Sequence, residues 1–259
     1  MDIRRIDQRL RAVAAESAGK LHWFASVGST NDYILHEVAD YHASVCLAAE
    51  QTTGRGRRGR RWESAPGQGI YLSLGWDLRG ASPSGLSLAC GLSVLDALQE
   101  QGVRCVTLKW PNDVLLEKRK LAGILVELGR ERCVIGIGLN VTLPEFAARD
   151  PEAAVPWTGL FEHGYDIDTE LLTATVIANL NRDLARFCRE GFAPDVDRWN
   201  TAHAFHGADV VIVAGEQVQG RVIGVDARGA LCLETGQGRR VFHAGEVSLK
   251  IPEPGQDER

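Results

Sequence analysis

What this sequence withholds narrows its possibilities first. It has six cysteines in 259 residues, at positions 46, 90, 105, 133, 188 and 232, and no two stand close together. A disulfide-framed secreted scaffold is excluded by that spacing; cysteines in apolar runs such as SVCLAA and RCVIGIG read as reduced, buried thiols of a cytoplasmic protein. The N-terminal stretch MDIRRIDQRLRAVAAESAGK contains no apolar run long enough for a secretion signal or a membrane span. There is no internal repeat and no low-complexity tract. Positive charge is not in excess either: the net charge is −5, so the chain as a whole is not built to hold a polyanion. Nor does it show a Ser/His/Asp or Cys/His set that would mark a nucleophile of its own.

What is present is ordinary globular material, 44% hydrophobic and 24% charged, with length enough for one large domain and a small one. Residues 3–16 suit a short amphipathic helix. Ser29-Thr30-Asn31-Asp32 precedes an apolar helical pattern and reads as a helix N-terminus. VCLAAE (45–50) reads as a strand, and GIYLSLGW (69–76) alternates in strand fashion. Leu88, Leu92, Leu95 and Leu98 keep one face of a helix over 84–102, with Gly102 as its stop. Four strands follow: CVTLKW, DVLLE, LAGILVEL and CVIGIGLNV. Residues 142–166 are irregular, and 168–191 form a long amphipathic helix ending at Gly191. In the last fifty residues short strands alternate with AGE, ARG and GQG turns, a small-barrel pattern. The boundary falls near 200–206, giving domains of 1–203 and 204–259.

Residues 54–62, GRGRRGRRW, are the most unusual stretch: five arginines, three glycines and a tryptophan. Gly54-x-Gly56-x-x-Gly59 has the spacing of a dinucleotide fingerprint. The fingerprint needs a helix directly after the glycines, and RRWESAPGQG cannot sustain one. A phosphate loop needs Lys-Ser/Thr after the last glycine, where Arg60-Arg61 stands. An RNA-binding arginine–glycine box is normally many repeats in a disordered tract, and this is one copy between strands. Two readings remain: a solvated basic loop, or a loop that clasps a small anion. In the second, glycines admit backbone N–H groups, arginine forks grip phosphate or carboxylate, and Trp62 offers a flat plate to a purine.

Lys109, in TLKWPND, shares a strand face with Thr107 amid apolar neighbours, an awkward place for an ammonium without an anion partner. Asn112 and Asp113 suit the turn after Pro111. The glycines of Gly136-Ile137-Gly138-Leu139-Asn140 suggest either a bulge or close approach by a backbone or a ligand. His203-x-x-His206 reads as linker or core edge rather than as a metal pair.

In order and wording, STND, then Gln51, GRGRRGR, KWPND, KLAGILVE and GIGLNV, the chain resembles the biotin–protein ligases over roughly residues 20–255. The resemblance implies an α+β fold: a mixed β-sheet with flanking helices, as in class II aminoacyl-tRNA synthetases, followed by a small SH3-like β-barrel. It implies a two-step reaction. Biotin and Mg·ATP give biotinyl-5′-AMP and pyrophosphate, and a lysine of a biotin carboxyl carrier domain then takes the biotin and releases AMP. By the same resemblance Ser29, Thr30, Asn31, Gln51, Arg55, Gly56, Arg57, Lys109, Gly123 and Gly138 contact biotin. Arg57, Arg58, Arg60, Trp62, Lys109, Asn112 and Asn140 line the nucleotide side. Lys109, Arg55 and Arg57 carry the catalysis, and the magnesium ligands are not assigned. Partners are biotin, ATP and the carrier domain, with no DNA and no membrane, for a monomer or weak homodimer. Family members that repress transcription carry a winged helix-turn-helix before the ligase domain, and too few residues precede Ser29 for one. Two rivals predict different behaviour: a lipoate or octanoate ligase of the same fold, and a non-catalytic RNA-binding module using the arginine loop.

Overall fold

The alternation along GIYLSLGW and CVIGIGLN sets the centre of the molecule. These segments form β3 (Gly69–Trp76) and β7 (Cys133–Asn140), paired antiparallel from Gly69 opposite Asn140 to Trp76 opposite Cys133. The computed structural model describes residues 2–13, 19–129, 132–143, 156–214, 216–243 and 248–250. Around the central pair lie β1 (Leu21–Phe24), β2 (Val45–Ala48), β4 (Val106–Lys109), β5 (Asp113–Leu116) and β6 (Arg119–Leu128). The order is β1-β2-β3-β7-β6-β5-β4, antiparallel except for the parallel β1–β2 pair.

Successive strand residues point to opposite faces, and the two faces carry different chemistry. Ile70, Leu72, Leu74, Ile135, Ile137 and Leu139 join the main core with helices α3 (Leu86–Glu100) and α4 (Thr169–Glu190). Helix α1 (Ile3–Val13) adds Ile6 and Leu10 and packs on α4. The other face is covered only in part, by the short helix α2 (Thr30–His36), whose Ile34 meets Cys46 and Val134. On this second face β3 and β7 place Gly69, Tyr71, Ser73, Gly136, Gly138 and Asn140.

Helix boundaries follow local chemistry. Ser29 accepts a hydrogen bond from the Asp32 backbone N–H and starts α2. Asp168 does the same for α4 through Leu171, and Gly191 stops it. A further helix, α5 (Val196–Ala202), leads into the C-terminal strands. These are β8 (Asp209–Ala214), β9 (Glu216–Val225), β10 (Leu231–Thr235), β11 (Gly238–Phe242) and β12 (Ser248–Lys250), a five-stranded antiparallel sheet ordered β11-β10-β9-β8-β12. Its Val210, Ile212, Val222, Leu231 and Leu233 belong to the same continuous core as the large sheet.

The expected helix over 3–16 appears as α1, with residues 14–16 outside the described residues. Much of the irregular 142–166 segment also lies outside them. The cysteines are all free, but they are not all buried: Cys105 is exposed and Cys188 half-buried. Cys105 stands just before β4 with the backbone at φ 59°, and Cys188 lies in the last turns of α4, packed against the core. Burial pushes the Cys46 and Cys133 thiols up to about 12.

Candidate functional site

The second face of the large sheet carries one row of aligned residues. Lys109 faces Asp113 across the β4–β5 turn, Asp113 faces Gly123, Gly123 faces Gly138, and Gly138 faces Tyr71. The two glycines leave a trough, and Trp62 lies in it. A Cβ on Gly123 would come within 2.9 Å of the indole, and one on Gly138 would overlap it outright. The group that approaches these glycines is the Trp62 side chain, where the sequence suggested a backbone or a ligand. Its indole is buried and meets Trp157 edge-on at 5.2 Å between ring centroids.

Asp113 gathers the cations. Its Oδ2 lies 3.7 Å from Lys109 Nζ and its Oδ1 2.8 Å from Lys120 Nζ. Lys109 is only 8% exposed, and burial pulls its pKa below the usual lysine value while Asp113 opposes that pull. An anion partner was the requirement read from the apolar setting of Lys109, and Asp113 supplies it. Lys120 was not singled out in the sequence. It reaches the trough because β5 and β6 slip by one residue: Val114 pairs with Ala122, and Leu115 with Lys120, leaving Leu121 as the extra residue. Such a bulge re-aims the side chains beyond it. The Lys120 ammonium then stands 4.8 Å from the Trp157 ring and 5.7 Å from the Trp62 ring, with its stem 3.5 Å from where a Gly123 Cβ would be.

The arginine–glycine stretch is a tight hairpin rather than a helix. Trp62 N–H donates to the Gly54 carbonyl at 2.9 Å, and Gly56 N–H donates to the Arg60 carbonyl at 2.6 Å. The reversal falls at Arg58 and Gly59, whose φ values of 59° and 72° are left-handed. Glycine takes that conformation without strain. Arg57 Nη1 donates to Asn112 Oδ1 at 3.3 Å, which links the hairpin to the KWPND turn. Burial, and then the neighbouring Arg58, push the Arg57 pKa down. Arg55 is engaged differently, by Asp32 on α2 and Glu127 on β6. Arg58 and Arg60 lie exposed on the outside of the turn.

A second polar group lies beside the trough. Gln51 Oε1 accepts from both the backbone N–H and the hydroxyl of Thr30, each at 2.9 Å. Ser73 Oγ lies 2.7 Å from Thr30 Oγ1 and 2.5 Å from Asn31 Oδ1, and its one O–H is shared between them. Gly136 leaves the room Asn31 needs, since a Cβ there would stand 2.5 Å from Asn31 Oδ1. Ser29, Thr30 and Asn31 are all buried. Gly56 belongs to the hairpin. Asn140 is buried, and its amide donates to the Thr158 carbonyl at 3.0 Å. Asn112 donates to the Ile124 carbonyl at 2.9 Å. Most of the predicted residues therefore lie along one face, in a polar cluster, a trough and a cationic end, while Arg58 and Arg60 stand outside it on the turn.

Among the described residues no group of three or more histidines, cysteines and carboxylates is arranged to hold a metal ion. His203 is buried, and its backbone bridges to Leu108. No described helix is long and apolar enough to cross a membrane.

Residues 23–141 match the model of the biotin/lipoate A/B protein ligase family, and residues 206–250 that of the biotin protein ligase C-terminal domain. The bifunctional ligase/repressor BirA of Escherichia coli is 37% identical over 238 residues, covering 88% of this chain and 73% of that protein. The biotin–[acetyl-CoA-carboxylase] ligase of Mycobacterium tuberculosis is 36% identical over 252 residues, covering 86% of each. Among solved structures, the biotin protein ligase of Aquifex aeolicus in complex with biotin and ATP superimposes with a TM-score of 0.80 at 30% identity, over 90% of this chain and 99% of that one.

Proposed function

The chain belongs to the biotin protein ligase family, and on that premise we propose how its own residues carry out the reaction. It is an ATP-dependent ligase whose substrates are biotin and Mg·ATP and whose product is a biotinylated protein. The acceptor is the lysine of a biotin carboxyl carrier domain. The lipoate and RNA-binding alternatives are not favoured.

In the first step a biotin carboxylate oxygen attacks the α-phosphorus of ATP. The bond to the β-phosphate breaks, and pyrophosphate leaves with the electron pair. Two like charges must meet, at a cost of about 4 kcal/mol for unit charges about 4 Å apart at an effective dielectric near 20. Lys109, Lys120 and Arg57 are the groups that offset it, at about 1.5–3 kcal/mol for each charge-assisted hydrogen bond. Magnesium enters as part of the ATP substrate and neutralises phosphate charge. Asp113 holds the two ammonium groups apart and aimed, so that arriving phosphate oxygens replace a carboxylate already in position. Catalysis is then positioning plus charge stabilisation.

Biotin's ring system meets Ser29, Thr30, Asn31 and Gln51, and Arg55, Gly56, Arg57, Lys109, Gly123 and Gly138 complete its surroundings. Arg57, Arg58, Arg60, Trp62, Lys109, Asn112 and Asn140 flank the nucleotide. In the second step the ε-amine of the acceptor lysine attacks the acyl carbonyl, AMP leaves, and the amine gives up a proton.

The observation that carries this assignment is the single cross-strand row from Lys109 to Gly138. It sets Lys109 at one end of a row whose glycines lie under Trp62, with Lys120 held beside it by Asp113. The test is direct. Protein, biotin, Mg·ATP and a carrier domain are incubated together, and the carrier is weighed by mass spectrometry. A gain of one biotinyl group, dependent on ATP and absent with lipoate, is the expected result; an unchanged carrier mass refutes the reading.

A further inference from the structure

We propose that Asp32 and Glu127 are positioning residues that hold the arginine–glycine hairpin shut over the bound intermediate, with Arg55 as the bolt between them. The proposal rests on the adenylate-forming reading above. The geometry is that of a catch. Arg55 Nη1 donates to Asp32 Oδ2 at 2.5 Å, and Nη2 donates to Asp32 Oδ1 at 2.6 Å. The same Nη2 stands 3.1 Å from each Glu127 oxygen. One guanidinium is thus gripped by two carboxylates from different elements, one on α2 and one on β6. A forked pairing of this kind fixes direction as well as distance.

The position of Arg55 in the hairpin matters. It stands opposite Arg61 in the two-strand stem, next to the Gly54–Trp62 hydrogen bond. Fixing Arg55 therefore fixes the stem that carries Trp62 into the trough and Arg57 to Asn112. The two acids add a charged tie to those made by Trp62 in the trough and by Arg57 to Asn112. The catch is also wired to the pocket: Glu127 Oε2 accepts from Asn31 Nδ2 at 2.6 Å, and Asn31 is part of the buried polar cluster. Arg55, Asp32 and Glu127 keep 36%, 39% and 27% of their side-chain surface exposed. Such a pairing is weakened by solvent and salt, which suits a closure that must open in every turnover.

A mixed anhydride hydrolyses in water and is useful only while it is kept. Retention, rather than bond formation, is what Asp32 and Glu127 supply. The experiment uses the full chain with biotin and Mg·ATP and no acceptor, following pyrophosphate. The wild type gives a stoichiometric burst and then slow release, because the adenylate stays bound. Asp32→Asn with Glu127→Gln keeps the burst amplitude. Its later rate rises about tenfold, the factor set by removing roughly 1.4 kcal/mol of closing free energy. Added salt raises the later rate of the wild type towards that of the double variant and leaves the variant's own rate unmoved. A later rate equal to that of the wild type, or loss of the burst in the variant, overturns the proposal. The salt response of the wild type decides the matter even if the variant folds poorly: no rise with salt refutes the catch. Absence of any burst from the wild type would instead remove the adenylating activity itself, and the catch with it.

Discussion

Trp62 lies against Gly138 so closely that no side chain fits between the indole and the β7 backbone. That contact decides the shape of the trough, because Gly123 on the next strand meets the same ring. Both glycines are needed for lack of bulk, not for an unusual backbone angle. Gly138→Ala is expected to push the indole out and to weaken biotin binding 10- to 100-fold, the scale of about 1–3 kcal/mol that overpacking costs. Titration calorimetry with biotin, beside an unchanged far-ultraviolet spectrum, checks this. Binding at wild-type strength would mean that the ring is free to move aside.

Lys109 and Lys120 share Asp113, so their contributions are coupled. Lys109→Ala and Lys120→Ala are each expected to slow pyrophosphate formation by about two to three orders of magnitude, as loss of one charge-stabilising group does. The double variant should lose less than the product of the two, since neighbours in one network are not additive. Single-turnover kinetics of the three variants measures the coupling. Full activity from either single variant would take that lysine out of the chemistry.

Arg58, Arg60 and Arg61 sit on the outside of the hairpin and are exposed. Trypsin should therefore cut the free protein in this stretch. Biotin with Mg·ATP is expected to slow that cut at least several-fold, because closure around a ligand suppresses local opening. Peptide mapping against time, with and without the two ligands, gives the result. Equal cleavage in both would argue against closure.

His203 predicts an acid-sensitive fold. The ring is 5% exposed, lies 4.5 Å from Trp199 between ring centroids, and is held down to about 3, first by burial and then by His206. The unfolded chain protonates this group near the usual 6.5. Between those values the unfolded state binds more protons than the folded one, so stability falls as pH falls through that window. At pH 4.5 the loss amounts to roughly 2–3 kcal/mol. Urea unfolding at several pH values should show this slope, reduced in His203→Phe. An unchanged slope would assign the acid sensitivity to other groups.

Much of this arrangement was legible in the residues. The alternation of GIYLSLGW and CVIGIGLN marked β3 and β7, and the leucine face with its closing glycine marked α3. Lys109 announced itself as a charge in an apolar strand. Other features were silent for physical reasons. β1 is four half-buried residues paired at a sheet edge, too short to show alternation. Lys120 reaches the site only because the strands slip at Leu121, and a slip in pairing leaves no mark on a single strand. Glu127 looks like any polar residue near a strand end until α2 and the hairpin are folded over it. Arg55 was expected to grip the substrate, and its partners Asp32 and Glu127 became visible only when segments far apart in the chain were brought together.

The contact between the two sheets has a mechanical meaning. Trp110, next to Lys109, donates its indole N–H to the Gly229 carbonyl at 3.0 Å, and the Leu108 carbonyl accepts from Ala204 N–H at 2.8 Å. The strand that presents Lys109 is thus bolted on its far side to the C-terminal strands. Heating should melt both parts as a single cooperative unit, and loosening the tail by Trp110→Phe should blunt the aim of Lys109 beside it.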